Sequence, residues 1–136
     1  MTVTTVKLEV PPRSAYVGVI RLALASLART AGIDEESIEH LKIAVSEACA
    51  NAVLAHEEMN LEQSFEIGWF EENERVVVEV CDHASNYSTA DRDESDSQGF
   101  ASRLSMSAAL MASLVDECTF TPREDGGTCA RLVLNR

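Results

Sequence analysis

A stretch of sixteen residues, 41–56 (LKIAVSEACANAVLAH), constrains the fold more than any other part of the chain. It contains no Gly or Pro and five Ala, a composition typical of a helix. At about 100° per residue, its apolar positions gather on one face that should pack against a core. These positions, extended one turn upstream, are Ile38, Leu41, Val45, Ala48 and Ala52. We therefore predict a helix that lies across the core of a globular domain.

Two polar residues on this helix form a separate stripe. Glu47 and Asn51 are one turn apart and are flanked by Ile43 and Leu54. A carboxylate and a carboxamide among apolar neighbours need polar partners. A metal–phosphate group is one candidate partner, and a surface or helix-pair contact is the ordinary alternative.

The remaining pattern predicts an α+β domain. Helices are expected over 14–30, capped by Ser14, over a second segment capped by Asp34 that contains the stretch above, and over 104–115. Alternating apolar residues predict strands at 3–10, 64–70, 75–81, 118–122 and 128–134. The order β-α-α-β-β-loop-α-β-β favours a two-layer sandwich, with a mostly antiparallel five-stranded sheet under three helices.

A long polar loop is predicted between the third strand and the third helix. Residues 82–103 lose the hydrophobic period, and a loop of this length is often a lid or a binding loop. Asp91, Asp93 and Ser95 are spaced like calcium ligands, but Asp96 stands where a calcium loop needs Gly. We therefore do not expect a calcium site.

Length and charge limit the classes of partner. The 136 residues suit a single domain, and the net charge of −12 would repel nucleic acid and anionic membranes. No long apolar run or signal peptide is present, so we expect a cytoplasmic protein. A basic protein partner, or a ligand whose phosphates are screened by Mg²⁺, stays compatible with the charge.

The cysteines, histidines and large aromatic residues are expected to be structural or to lie at the surface. The cysteines form no CxxC pair, and we interpret all of them as buried thiols of a reducing compartment (Cys49, Cys81, Cys118 and Cys129). The histidines show no spacing of a metal site and are expected at the surface or in loops (His40, His56 and His83). Phe65 and Trp69 are expected in the core.

Segments spread along the chain resemble the anti-sigma-factor serine/threonine kinases, small members of the GHKL (histidine-kinase-like) ATPase superfamily with the Bergerat fold. Residues 46–52 (SEACANA) are similar to the N-box of that family. Residues 76–82 (VVVEVCD) are similar to its strand that ends in an aspartate. Residues 114–117 (LVDE), followed by 128–132 (TCARL), complete the resemblance, which covers nearly the whole chain.

The resemblance implies ATP and Mg²⁺ as cofactors and gives roles to individual residues. In that family the N-box Asn ligates Mg²⁺ and the Glu acts at the phosphate end, roles that fall on Asn51 and on Glu47 as the catalytic residue. The aspartate that hydrogen-bonds the adenine amino group corresponds to Asp82. Further nucleotide contacts are implied at Ser105, Ser107 and Thr128. The residue types suit this chemistry, because Mg²⁺ prefers hard oxygen ligands and an amine needs an acceptor.

The chain departs from the family at both glycine boxes. The family pattern Asp-x-Gly-x-Gly is replaced by DHASN at 82–86, and Gly-x-Gly-Leu is replaced by SMSA at 105–108. Glycines in such loops allow close approach of the backbone to a nucleotide. Serine hydroxyls could still contact phosphate, and helix N-termini attract anions. We therefore predict a degraded nucleotide pocket.

Three functions follow as alternatives from the resemblance. The first is an anti-sigma factor that sequesters a sigma factor, acts as a homodimer and is regulated by partner switching with a STAS-type (anti-anti-sigma) antagonist. The second is an active Mg²⁺-ATP-dependent protein serine kinase that phosphorylates that antagonist. The third is a catalytically dead scaffold in which Glu47 and Asn51 belong to a core network.

Overall fold

The computed structural model of the chain describes residues 4–84, 106–124 and 126–136. The amino-terminal half contains β1 (Thr4–Val10), a 3-10 turn (Ser14–Tyr16), α1 (Val17–Thr30) and α2 (Glu35–Glu58). It is followed by β2 (Phe65–Glu71) and β3 (Arg75–Cys81). Residues 106–114 are helical and are called α3, and the chain ends with β4 (Glu117–Pro122) and β5 (Thr128–Asn135). Within these ranges no helix is long and apolar enough to cross a membrane.

The strands form one sheet in the order β1-β2-β3-β5-β4, and every neighbouring pair is antiparallel. Alternate residues of each strand face the helices, and on β3 these are Val76, Val78 and Val80. Phe65 and Trp69 are completely buried in the same core, as predicted. The predicted α+β fold, a five-stranded sheet with three helices, is therefore confirmed.

The two predicted helix caps have different outcomes. The Asp34 carboxylate accepts a hydrogen bond from Ser37 N at 2.8 Å and so caps α2 as expected. The predicted cap at Ser14 is wrong, because a 3-10 turn precedes α1. This turn moves the start of the α-helix to Val17, and the residue before it, Tyr16, makes no side-chain cap bond.

The predicted core face of α2 is confirmed and extends further than expected. Ile38, Leu41, Val45, Ala48 and Ala52 are all buried. His56 lies one turn beyond Ala52 and is also fully buried, so its predicted surface position is wrong. The physical reason is that His56 continues the same helical stripe, and both of its ring nitrogens find backbone partners inside the domain.

The prediction that all cysteines are free thiols is wrong for one pair. Cys81 on β3 lies directly opposite Cys129 on β5, and their sulfur atoms form a disulfide. Strand order could not be read from the sequence, so this pairing across 48 residues could not be predicted. Cys49 remains a buried thiol, and burial raises the pKa of that thiol to about 12.

We expect removal of the disulfide to cost stability. Replacing both Cys81 and Cys129 by Ala should lower the free energy of unfolding by about 3–4 kcal/mol, because the cross-link restricts the unfolded chain over a loop of about 50 residues. Urea unfolding measures this change. Cys118→Ala is the control and should change the free energy by less than about 1 kcal/mol. A double variant as stable as the wild type would contradict the prediction.

Candidate functional site

Glu47 and Asn51 point toward the same atom on the third helix. The Asn51 Nδ2 group donates to Ser107 Oγ at 2.7 Å. The Ser107 hydroxyl donates to Glu47 Oε1 at 2.8 Å. Ser107 is 5% exposed, whereas Glu47 and Asn51 are half-buried. The structure therefore brings together three of the predicted site residues.

The direction of these hydrogen bonds follows from proton counting. A hydroxyl has one proton to donate, and an ionised carboxylate can only accept. The proton of Ser107 therefore goes to Glu47, and the oxygen of Ser107 accepts from the amide of Asn51. This leaves Asn51 Oδ1, the atom that a metal would need, turned away from Ser107.

Asp82 lies immediately after β3 and is almost fully buried. Its Oδ1 atom accepts from Thr128 N at 3.1 Å and from Ala84 N at 3.2 Å. Its Oδ2 atom accepts no hydrogen bond from the part of the chain that the structure describes. Burial raises the pKa of Asp82 to about 6, although the two backbone N–H groups oppose this shift. A buried acceptor with an unused oxygen is chemically suited to an amine donor.

The turn between β4 and β5 touches the end of β3 closely. The Asp82 N–H donates to Thr128 O at 2.9 Å, so backbone and side chain both tie Asp82 to Thr128. Gly127 has a φ of +92°, and a Cβ placed on it would lie 2.2 Å from the Asp82 carbonyl oxygen. In the sequence, Gly126 and Gly127 stand between the two last predicted strands, where glycines are typical of a hairpin turn. The structure shows that Gly127 also allows this close approach.

A polar network that sequence reasoning missed holds the residue after Asp82. His56 Nε2 accepts from His83 N at 2.9 Å, and His56 Nδ1 lies 3.1 Å from Gln63 O. His56 is therefore neutral with its proton on Nδ1, and its pKa is lowered by burial. The sequence signal for this network was the position of His56, one turn beyond Ala52 on the buried face of α2.

The same network extends to two charged residues. The His83 ring contacts Glu66 at 3.0 Å, and Arg123 pairs with the other oxygen of Glu66 at 2.9 Å. Arg123 also donates to the Asp82 carbonyl oxygen at 3.4 Å. These contacts hold the backbone at 82–84, where the family places a glycine box. Glu66 on β2 and Arg123 after β4 are far apart in sequence, so no sequence pattern indicated that they form an ion pair.

The cavity between Asn51 and Asp82 has a volume of only ≈ 20 Å³. Its wall consists mainly of small side chains, closed by one aromatic ring (Ala48, Asn51, Ala52, Val80, Asp82, Phe120, Thr128 and Ala130). A site for a ligand of nucleotide size is roughly 300 Å³ or more. The donor set therefore has the chemistry to hold Mg²⁺ and adenine, as the family implies in general, but the cavity that the described residues line is smaller than a nucleotide.

The other predicted nucleotide contacts are Thr128 and Ser105. Thr128 contributes its backbone N–H to Asp82 and lines the small cavity. Ser105 and the polar residues 85–103 lie outside the described residues, so the lid prediction and the assessment of the calcium-like spacing fall there too. In the part that the structure describes, no cluster of three or more His, Cys, Asp or Glu side chains is arranged for a metal ion.

The fold agrees with comparison to known families. Residues 10–134 match the family described as the histidine kinase-like ATPase domain. This match spans most of the chain, and the chain therefore belongs to that family. The chain is similar to the serine-protein kinase RsbW of Bacillus subtilis (strain 168), with 45% identity over 75 residues. It is also similar to RsbW of Bacillus velezensis, with 40% identity over 79 residues. The predicted resemblance is confirmed.

The matched regions set the limits of this similarity. They cover 54% and 57% of this chain, and 47% and 49% of the two RsbW proteins. The chain thus spans about half the length of the curated relatives it matches.

Two solved structures share the fold. The RsbU and RsbW domains of Rv1364c from Mycobacterium tuberculosis align with a TM-score of 0.70 at 17% identity, over 96% of this chain and 31% of that chain. The SiaB–SiaC complex from Pseudomonas aeruginosa aligns with a TM-score of 0.65 at 13% identity, over 95% of this chain and 88% of that chain. At these identities the alignments show the fold alone.

We expect Gly127→Ala to destabilise the protein through two separate effects. A side chain there is disfavoured by the positive φ and also clashes with the Asp82 carbonyl, so the cost should be about 2–4 kcal/mol. Gly32 is a matched control, since its φ is +84° but nothing lies within 4 Å of an added Cβ. Gly32→Ala should cost only about 1 kcal/mol. Equal losses in urea unfolding would show that the close approach to Asp82 does not matter.

Asp82→Asn should gain stability relative to the wild type as pH rises from about 4 to 7. Because the folded pKa of about 6 exceeds the ordinary 3.8, the wild type loses stability as this carboxyl ionises, whereas Asn cannot ionise. Urea unfolding at several pH values measures the difference between the two proteins.

Asp34→Asn is the control for the Asp82 experiment and has the opposite sign. The pKa of Asp34 is lowered by its hydrogen bonds to Ser37, so the stability from this group is present above its ordinary pKa and is lost as pH falls. The deficit of Asp34→Asn should therefore shrink at low pH. A difference between Asp82→Asn and wild type that does not change with pH would contradict the assignment of a raised pKa.

Proposed function

We propose that this domain is an anti-sigma factor that binds and sequesters a sigma factor, and that a STAS-type antagonist releases the sigma factor by partner switching. Membership of the histidine kinase-like ATPase family and the similarity to RsbW support this class of function. The observation that carries it is an open groove beside α2. Exposed apolar side chains line this groove together with charged ones, and Glu47 is among the charged residues.

This groove lies between α1 and α2 and has a volume of ≈ 780 Å³. Leu22 on α1 is 66% exposed and Ile43 on α2 is 49% exposed, and both side chains line it. Exposed apolar residues of this size at a groove are typical of a protein-binding surface. Arg21, Lys42 and Glu39 also line the groove, so it presents charged and apolar side chains together.

The net charge of the chain fits a basic partner. At −12 the domain should attract a basic protein segment over long range and accelerate its association. A helix of a sigma factor with an apolar stripe and basic flanks would match both the groove and the charge. The sigma factor therefore binds in this groove.

A second candidate function is a Mg²⁺-ATP-dependent serine kinase acting on the antagonist. The name of the RsbW relatives favours it, and so does the Asp82 oxygen that accepts no hydrogen bond from the described residues. The small cavity and the contacts of Ser107 oppose it, because phosphoryl transfer needs an ordered site around the phosphates. Transfer of labelled phosphate to a STAS partner, abolished by Glu47→Ala and Asn51→Ala, would establish this function instead.

We expect Leu22→Asp to weaken binding of the sigma factor at least tenfold, because it replaces a large exposed apolar side chain of the groove by a charge. The sigma factors of the same organism are expressed singly, and their dissociation constants are measured by biolayer interferometry at moderate salt. A STAS partner should then displace the bound sigma factor.

Met59→Asp provides the matched control for the groove variant. Met59 follows α2 at its carboxyl end and is 41% exposed, but it does not line the groove. This variant should retain affinity within about twofold, and circular dichroism verifies that both variants are folded. Absence of binding by every sigma factor, or equal loss in both variants, would contradict the proposal.

A further inference from the structure

Ser107 uses its hydroxyl differently from another serine of the same helix. Ser113 Oγ donates to Leu110 O at 2.6 Å, which is the usual local bond of a serine in a helix. Ser107 Oγ instead makes both of its bonds to α2, at residues 56 and 60 positions away in sequence. Its hydroxyl therefore joins two helices.

The hydroxyl of Ser107 occupies the point on which the Glu47–Asn51 pair converges. Both partners come from one face of α2, one turn apart, and both are within 2.8 Å of this single oxygen. A water molecule, which can likewise donate to Glu47 and accept from Asn51, would need the same position. With Ser107 in place, one amide proton of Asn51 and one oxygen of Glu47 are already satisfied.

We propose that Ser107 is an internal ligand of the Glu47–Asn51 pair, which holds α3 against α2 without nucleotide and keeps the affinity of the chain for Mg²⁺-nucleotide low. The side chains of the site are chemically suited to a Mg²⁺-nucleotide, but the cavity that the described residues line has a volume of only ≈ 20 Å³. This role of Ser107 rests on the proposed function and deepens it, because a domain with low affinity for Mg²⁺-nucleotide would bind its partner in the nucleotide-free state. Its tests use no partner protein, so they can fail without affecting the sigma-factor proposal.

Replacement of the Ser107 hydroxyl should open the site only if the adenine end is open too. Phe120 lines the ≈ 20 Å³ cavity beside Asp82, and Phe120→Ala provides room there. We therefore compare four proteins: wild type, Ser107→Ala, Phe120→Ala and the double variant. Mg²⁺-ADP is the probe, and isothermal titration calorimetry measures its dissociation constant.

The double variant should bind Mg²⁺-ADP at least tenfold more tightly than Phe120→Ala alone, and the wild type should show no saturable binding up to about 1 mM. Ser113→Ala in the Phe120→Ala background is the control and should leave the affinity unchanged. Saturable binding by the wild type in the micromolar range would overturn the proposal. So would a double variant no tighter than Phe120→Ala.

A second measurement needs no nucleotide. If Ser107 and Asn51 act as a pair, Ser107→Ala and Asn51→Ala should not change the unfolding equilibrium constant independently. The change in the double variant should be smaller than the product of the two single changes by about fivefold or more. Ser107→Thr keeps the hydroxyl and should keep this coupling. Ser113→Ala combined with Asn51→Ala should give independent effects. Independent effects of Ser107→Ala and Asn51→Ala would show that the contact is incidental and would overturn the proposal.

Discussion

The packing of α2 across the sheet determines where every other part of the site can be. Its apolar stripe is buried against the sheet, so the rotation of this helix is fixed and cannot be adjusted locally. Glu47 and Asn51 are consequently directed to one side of the helix, toward α3, while Ile43 is directed to solvent beside α1. One packing constraint thus turns a polar pair toward α3 and leaves Ile43 exposed beside α1.

The end of β3 is held just as firmly, but by polar groups. The family places glycines after the aspartate of this strand, and this chain has His83 and Ala84 there. The structure compensates with a buried neutral histidine, a salt bridge between Glu66 and Arg123, and the turn at Gly127. Buried polar groups of this kind are stable when each one has a partner. The loss of a glycine box has therefore not left this segment without support.

Periodicity predicted most of the fold and the directions of the main side chains. The stripe on α2 and the alternation on β3 determined which residues are buried, because helix and strand geometry repeat at fixed intervals. The contacts of Ser107 were not predictable, since they depend on where α3 docks along α2. His56 was predictable in principle from the stripe but was judged by its residue type. The Cys81–Cys129 pair required knowledge of which strands are neighbours.

The disulfide gives the molecule a covalent topology beyond that of a linear chain. It joins the end of β3 to the start of β5 and encloses the segment with the former glycine boxes, α3 and β4 in a ring. A protease that cuts one peptide bond between residues 82 and 128 would therefore not release a fragment. The two pieces would stay joined through the Cys81–Cys129 bond until a reductant separates them.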